Sequence, residues 1–312
     1  MREKAVTLNR ATLEQATLIS DSDFERFQDF FYHKVGIHFQ PSKRYFVDKR
    51  LVQRMRATKS RTFSEYMALL RSEVSREELQ ALINLMTVNE TYFFREEYQL
   101  RTLVGPMLDE IAARKGPGET IRIWSIPCST GEEPYSIAIY LSEYWPGLAR
   151  HDVELVASDI NTDVLQRARE GCYEKRAVQS LPPDVLRRYF TKESDPSGGG
   201  LRYRIDRDLR DSVRFSPVNI HDAEALRSHH GFDVIFCRNL LIYFDNRSRR
   251  RAAESLYESL RPGGFICLGH SESMSRISRL YEMRRFPESI VYQRPATRRP
   301  AETPAPAEGA LP

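Results

Sequence analysis

Three carboxylates around one short loop carry most of the chemistry this chain could do. In the stretch PCSTGEEPYS, Glu132 and Glu133 follow Gly131, and Asp159 comes 28 residues after that glycine. The flanking segments read IRIWSI before the loop, an apolar run after it, and then VELVASDI, ending at Asp159. A β-branched run, a small-residue loop, a helix and a second strand make the first unit of a nucleotide-type α/β fold. Asp159 then stands at the carboxyl edge of the neighbouring strand, where a carboxylate can accept hydrogen bonds from ribose hydroxyls. Directly before INTDVL it also suits a helix cap. The loop holds one glycine rather than the three of GxGxxG, and its two glutamates would repel a pyrophosphate. The pattern predicts a ligand whose reactive end is cationic.

The elements that must hold these groups fall into two parts, a helical one at the amino terminus and a larger α/β one. Residues 22–35 open with a Ser/Asp cap signal and place apolar side chains at helical spacing. Further helices are expected after Pro41, over 62–71 and over 77–85, and the turn-rich RKGPGET precedes the first strand. After a helix over 163–170, residues 173–210 interrupt the α/β alternation with LPPDVLRRYF, a DPSGGG turn and LRYRI. LRYRI alternates as a small exposed strand should, which predicts an inserted sub-domain with a short helix and a hairpin. Strands resume at 213–218 and 232–237, followed by a charged helix over 247–260, an RPGG turn and the strand FICLG. The expected organisation is a helical domain over 1–88, an α/β domain over 89–295 with its insertion at about 173–211, and a disordered Pro/Ala-rich tail over 296–312.

Composition narrows the class. Of 312 residues, 29% are charged and 41% hydrophobic, as in a soluble globular protein. No run approaches 18 apolar residues, and MREKAVTLNR lacks the apolar core of a secretory signal, so membrane insertion is not expected. Cys128, Cys172, Cys237 and Cys267 are far apart and form no CxxC pair, which predicts free thiols in a reducing cytoplasm and no metal site. The seven histidines contain no HExxH pattern.

The net charge of +4 is unevenly spread, with eight basic residues between Pro41 and Arg61 against one acid, Asp48. On a helix, Val47, Leu51 and Met55 would face a core. Lys43, Arg50 and Arg54 would then lie within roughly 40° of one another beside that stripe. Such a face is either simply solvated or a docking surface for an acidic partner. Nucleic acid is not expected, because no zinc-finger spacing, helix-turn-helix or aromatic–basic interleaving accompanies it.

Five motifs in order carry a resemblance: LMTVNETYFFRE, SIPCSTGEEPYSIAIYL, ASDINTDVLQRAREGCY, FCRNLLIYFD and SLRPGGFICLGHSES. Over residues 23–294 the chain resembles the chemotaxis receptor protein-glutamate O-methyltransferases, which use S-adenosylmethionine and release S-adenosylhomocysteine. The resemblance implies a doubly wound Rossmann-like methyltransferase domain with an inserted β sub-domain, preceded by an all-α domain. It implies, as partners, the cytoplasmic domains of methyl-accepting chemotaxis receptors, and a monomeric cytoplasmic enzyme without metal.

The same resemblance assigns roles. Asp159 takes the ribose hydroxyls and Glu133 the cofactor's amino group. Asn219, with Ile220 beside the ring, serves the adenine. Arg238 and Asn239 lie at the carboxyl edge of a strand, where ligands bind. Asn89 and Thr91 touch the cofactor. Arg95 reaches the reaction centre, gripping either the substrate glutamate or the cofactor's own carboxylate. Tyr243 orients the acceptor. Lys43, Arg50 and Arg54 guide the receptor in. In some members of the family the inserted sub-domain captures a receptor's carboxyl-terminal peptide by strand addition, and whether LRYRI presents such an edge is open at the level of sequence. A methyltransferase with another acceptor, or an adaptor that only senses the cofactor, are the alternative readings.

Overall fold

The computed structural model describes residues 19–72, 75–116, 118–195, 198 and 200–296. The expected tail, apart from Ala296, lies outside the described residues, as does part of the DPSGGG turn.

Among the described residues, four α-helices build the amino-terminal part: α1 (Asp21–Val35), α2 (Arg44–Ala57), α3 (Phe63–Arg71) and α4 (Arg76–Met86). Ser20 caps α1 by accepting from the Asp23 amide, and Thr62 caps α3 in the same way from Glu65. Each amphipathic face turns inward: Phe24, Phe27 and Phe31 of α1 meet Val47, Leu51 and Met55 of α2 and Leu82 of α4 in one apolar cluster.

The strands, in chain order, are β1 (Ile121–Ser125), β2 (Val153–Asp159), β3 (Cys172–Glu174), β4 (Phe190–Ser194), β5 (Leu201–Ile205), β6 (Val213–Pro217), β7 (Phe232–Cys237), β8 (Leu260–Leu268), β9 (Glu282–Arg285) and β10 (Ile290–Gln293). Seven form the main sheet in the order β6-β2-β1-β7-β8-β10-β9. Its first five members run parallel, and β10 returns antiparallel between β8 and β9. Helices α5 (Glu132–Tyr144), α6 (Thr162–Glu170) and α7 (Asn246–Ser259) are the long crossover helices of this unit. All six residues of β7 are buried, as expected of a central parallel strand covered on both faces. The order reverses between β1 and β7, so a crevice opens at their carboxyl ends.

The insertion is a separate three-stranded sheet, β3-β5-β4, with a short helix, Pro183–Tyr189, leading into β4. This answers the question left open for LRYRI. The strand LRYRI is the middle strand, paired with β3 on one side and β4 on the other, so it presents no free edge for strand addition.

The helical part is pinned to the sheet's rim through side-chain amides. Asn84 of α4 donates to Thr162 Oγ1 (2.9 Å) and accepts the Thr162 amide (3.0 Å), while Gln80 donates to the Ile160 carbonyl (2.8 Å). Tyr32 of α1 donates to Asp245, ahead of α7.

Candidate active site

The rim between β1 and β7 holds a cavity of about 540 Å³, within the range of small-molecule sites. Its floor is the loop after β1, its far wall the segment 86–95, and its roof the stretch 37–46 of the helical part.

Two carboxylates shape the floor. Asp159 ends β2 with both oxygens engaged: Oδ2 accepts the Ser129 amide (2.9 Å) and Oδ1 the Asn161 amide (2.9 Å). Burial lifts its pKa to about 6 despite those amides. The Ile160 amide acts on the same carboxylate. Gly131, at φ 94°, turns the chain into α5 where a Cβ would lie 3.0 Å from Tyr135 and Ala168. The turn delivers Glu133, whose Oε1 accepts from Ser125 (2.7 Å) and whose Oε2 accepts from Arg238 (3.0 Å). Burial raises its pKa too, and Arg238 opposes the rise. Its neighbour Glu132 turns away from the cavity to bind Thr130 Oγ1 (2.6 Å), so one glutamate of the pair faces the ligand space rather than both.

Arg238, just past β7, is the hub. It reaches Glu133, the Arg95 carbonyl (2.7 Å) and Glu96 (3.4 Å), and its side chain is buried. Its Nε is buried without a hydrogen-bond partner. A buried, unsatisfied guanidinium N–H on a residue that lines the cavity is the feature most in need of a ligand acceptor. Asn239 follows in the left-handed region (φ 58°), and its amide donates to Glu272 Oε2 (2.8 Å). Glu272 also accepts the amides of Gly269 (2.9 Å) and Ile242 (3.3 Å). It thereby staples the turn Leu241–Tyr243, which carries Tyr243 to the open side of the cavity. A Cβ on Gly269 would sit 2.6 Å from Asn239 Nδ2 and 3.0 Å from the Asn239 backbone nitrogen, so glycine leaves room for this close approach.

The segment between the domains supplies Asn89, Thr91 and Arg95. Arg95 spends one donor on the Glu90 carbonyl (3.0 Å) and lies over the Tyr92 ring. It acts electrostatically on Tyr243, opposing the upward shift that burial imposes on that phenol. The structure therefore collects Asn89, Thr91, Arg95, Glu133, Asp159, Arg238, Asn239 and Tyr243 around one space, with Lys43 at its roof.

Four expected residues lie elsewhere. Asn219 spends its amide on the Lys34 carbonyl (2.8 Å) and its Oδ1 on the His221 amide (3.0 Å), tying the two domains together rather than facing the cavity. Ile220 is buried in the apolar cluster around Trp124. Arg50 donates to the Leu85 (2.6 Å) and Phe46 (3.2 Å) carbonyls and stacks on the Phe46 ring. Arg54 forks onto Glu78 of α4. Both arginines are absorbed by the seam between α2 and α4, whereas Lys43, Lys49 and Arg56 stay exposed. Two contributors lie inside the motifs quoted above but were not singled out there: Glu96, which reaches Arg238 from far along the chain, and Glu272, whose carboxylate gathers backbone amides.

The cavity fits S-adenosylmethionine on its own terms. Two buried carboxylates with raised proton affinity favour hydroxyl donors and a cationic centre, and the unpaired Arg238 Nε offers a donor to a carboxylate.

Comparison with known proteins agrees. The model of the CheR methyltransferase SAM binding domain matches residues 89–290, and that of the CheR all-alpha domain matches residues 22–87. The chain is 53% identical over 278 residues to chemotaxis protein methyltransferase 2 of Vibrio cholerae, covering 89% of this chain and 94% of that protein. It is 40% identical to the chemotaxis protein methyltransferase of Klebsiella aerogenes (88% of this chain, 91% of that one). With its counterpart in Escherichia coli it shares 38% (85% and 89%). With both domains matched and near-complete relatives at this identity, the chain belongs to the CheR family of S-adenosylmethionine-dependent methyltransferases.

Proposed function

We propose that this enzyme methylates glutamate side chains on the cytoplasmic domains of chemotaxis receptors, forming methyl esters. One observation carries the reading: the cavity has a carboxylate-lined inner end, Asp159 and Glu133, and an outer end with Arg95 and Tyr243, with no acid–base dyad there among the described residues. When bound, S-adenosylmethionine supplies a methyl group on a sulfonium centre that is already activated. The acceptor needs no base, since a free glutamate (pKa about 4.3) is over 99% ionised at about pH 7. The chain's own residues then bind and aim. Asp159 holds the ribose hydroxyls, Glu133 the amino group, and the free Arg238 Nε the carboxylate, with Asn89, Thr91 and Asn239 completing the wall. Arg95 retains donors beyond the one given to Glu90, enough to grip an acceptor carboxylate in the fork geometry arginine provides. Tyr243, 36% exposed at the mouth, orients that carboxylate. Orientation of this kind is worth up to roughly 7–11 kcal/mol of barrier.

The test is incubation of methyl-labelled cofactor with receptor cytoplasmic fragments. Base-labile label on glutamate supports the reading. Label confined to other residues, or none, overturns it.

A further inference from the structure

Of the three expected docking cations, Arg50 and Arg54 are engaged inside the protein while Lys43 stays exposed at the cavity's roof, and a second set of cations stands on α7. Helix α7 begins NRSRRR, and Arg247, Arg250 and Arg251 are all exposed. At 100° per residue they fall on one side of the helix, opposite the buried Ser248, Ala252, Ala253 and Leu256. Among the described residues no carboxylate comes within ion-pair distance of any of them, including Glu254 one turn further along the same side. Arg249, by contrast, donates to the Leu241 carbonyl (2.8 Å) and ties the first turn of α7 to the Leu241–Tyr243 turn. Arg247 is four residues beyond Tyr243, so the arginine face starts at the rim of the cavity.

This placement works against the helix itself. Cations in the first two turns meet the positive end of the helix dipole, which the capping carboxylate of Asp245 offsets only in part by accepting the Ser248 amide (2.8 Å). Among the described residues no carboxylate pairs with the three arginines. An acidic surface laid across the mouth would.

We propose that Arg247, Arg250 and Arg251 on the solvent face of α7 dock the acidic flank of the glutamate-bearing substrate protein. This rests on the function proposed above, which places a carboxylate of that protein at Tyr243. Long-range attraction between such surfaces accelerates encounter and fixes register more than it adds contact energy.

The experiment uses the full-length enzyme and a receptor cytoplasmic fragment that the wild type methylates. Fragment affinity is measured by fluorescence anisotropy, and KM by label transfer, at low and high salt. The triple variant R247E/R250E/R251E is expected to bind the fragment at least about tenfold more weakly at low salt and to lose most of its salt dependence. Its calorimetric affinity for S-adenosylhomocysteine stays at the wild-type value, and its Tm is equal or higher because acids suit a helix amino terminus. The neutral triple variant R247Q/R250Q/R251Q gives an intermediate loss and decides the matter if the reversed one misfolds. Fragment affinity within twofold of wild type in the folded variants overturns the proposal. So does a loss seen only with anionic vesicles or duplex DNA as the probe. A wild-type enzyme that labels no receptor fragment instead overturns the functional reading, and with it the occupant named here.

Discussion

Replacing Arg54 with alanine separates a docking residue from a structural one. Its guanidinium forks onto Glu78, with Nε 3.0 Å from Oε1 and Nη2 bonded to Oε2, while Tyr66 donates to the same carboxylate at 2.6 Å. The Glu78 side chain is 10% exposed and that of Arg54 22%. Breaking a fully buried pair by removing one partner costs about 3–5 kcal/mol, because the other charge is left without compensation. An exposed pair is worth about 0.2–1 kcal/mol. Partial exposure and the surviving Tyr66 bond place Arg54→Ala between these, at about 2 kcal/mol. In a chain of this size each kcal/mol moves Tm by about 2–4 °C, so the variant should melt about 4–8 °C lower. Glu78→Gln should lower Tm by a comparable amount, since it breaks the same pair from the other side. The assay is thermal denaturation of both variants, with receptor-fragment affinity measured on the folded protein at low temperature. Arg54→Ala that melts within about 1 °C of wild type, yet loses fragment affinity, would refute the assignment and restore α2 as the docking face.

The remaining predictions concern the cavity. Burial holds Asp159 near pH 6 in the folded protein, above its unfolded value, and the sign follows: its ionisation destabilises the empty enzyme above pH 6, and that penalty fades as the pH falls toward 4. Cofactor affinity should move oppositely, weakening by up to tenfold per unit below about pH 6 as the acceptor for the ribose hydroxyls is protonated; a flat calorimetric profile from pH 7.5 to 5 would remove that role. Arg95→Ala and Tyr243→Phe should each lower kcat/KM for receptor fragments by about 10–100-fold, or 1.4–2.8 kcal/mol, while cofactor affinity stays within about twofold. Wild-type turnover in both would discard the positioning roles. Glu272→Gln turns a donor toward backbone amides that now meet acceptors, a cost of about 1–3 kcal/mol. It should lower both Tm and turnover, and unchanged turnover would mean that the Tyr243 turn needs no staple.

What the sequence disclosed was set by how local each feature is. Val47, Leu51 and Met55 follow the helical period, and they are buried as that period requires. The same period could not say what covers the flank of that stripe. Arg50 and Arg54 stand on the flank, and the answer is α4, which begins more than twenty residues later and takes both guanidinium groups. Asp159 was legible because a strand, its end and the preceding loop are contiguous signals. Asn219 sits at an equivalent strand end, but its neighbour there is the Lys34 carbonyl from the helical part, which no local pattern announces. Alternation in LRYRI reported two unlike faces of a strand. Faces lie above and below the sheet, whereas edge or centre is decided sideways by pairing, so the pattern was silent on the point that mattered.

The long-range contacts around the cavity share a purpose, which is to hold backbone where it does not relax by itself. Phe94, Glu96, Ser129 and Asn239 are non-glycine residues in the left-handed region, with φ between 47° and 58°, and all four lie in the cavity's walls or directly beside them. Each such residue costs about 1 kcal/mol or more and persists only where neighbours over-determine it. The neighbours are those found by long-range contact. Arg238 clamps the Arg95 carbonyl and Glu96, Asp159 holds the Ser129 amide, Ser136 holds the Phe94 amide, and Glu272 holds that of Asn239. Two of these anchors, Asp159 and Arg238, are also the groups assigned to the cofactor. Filling the cavity and fixing the strained loops that carry Arg95 and Tyr243 are therefore linked, so cofactor binding should order the acceptor-facing side chains before the substrate arrives.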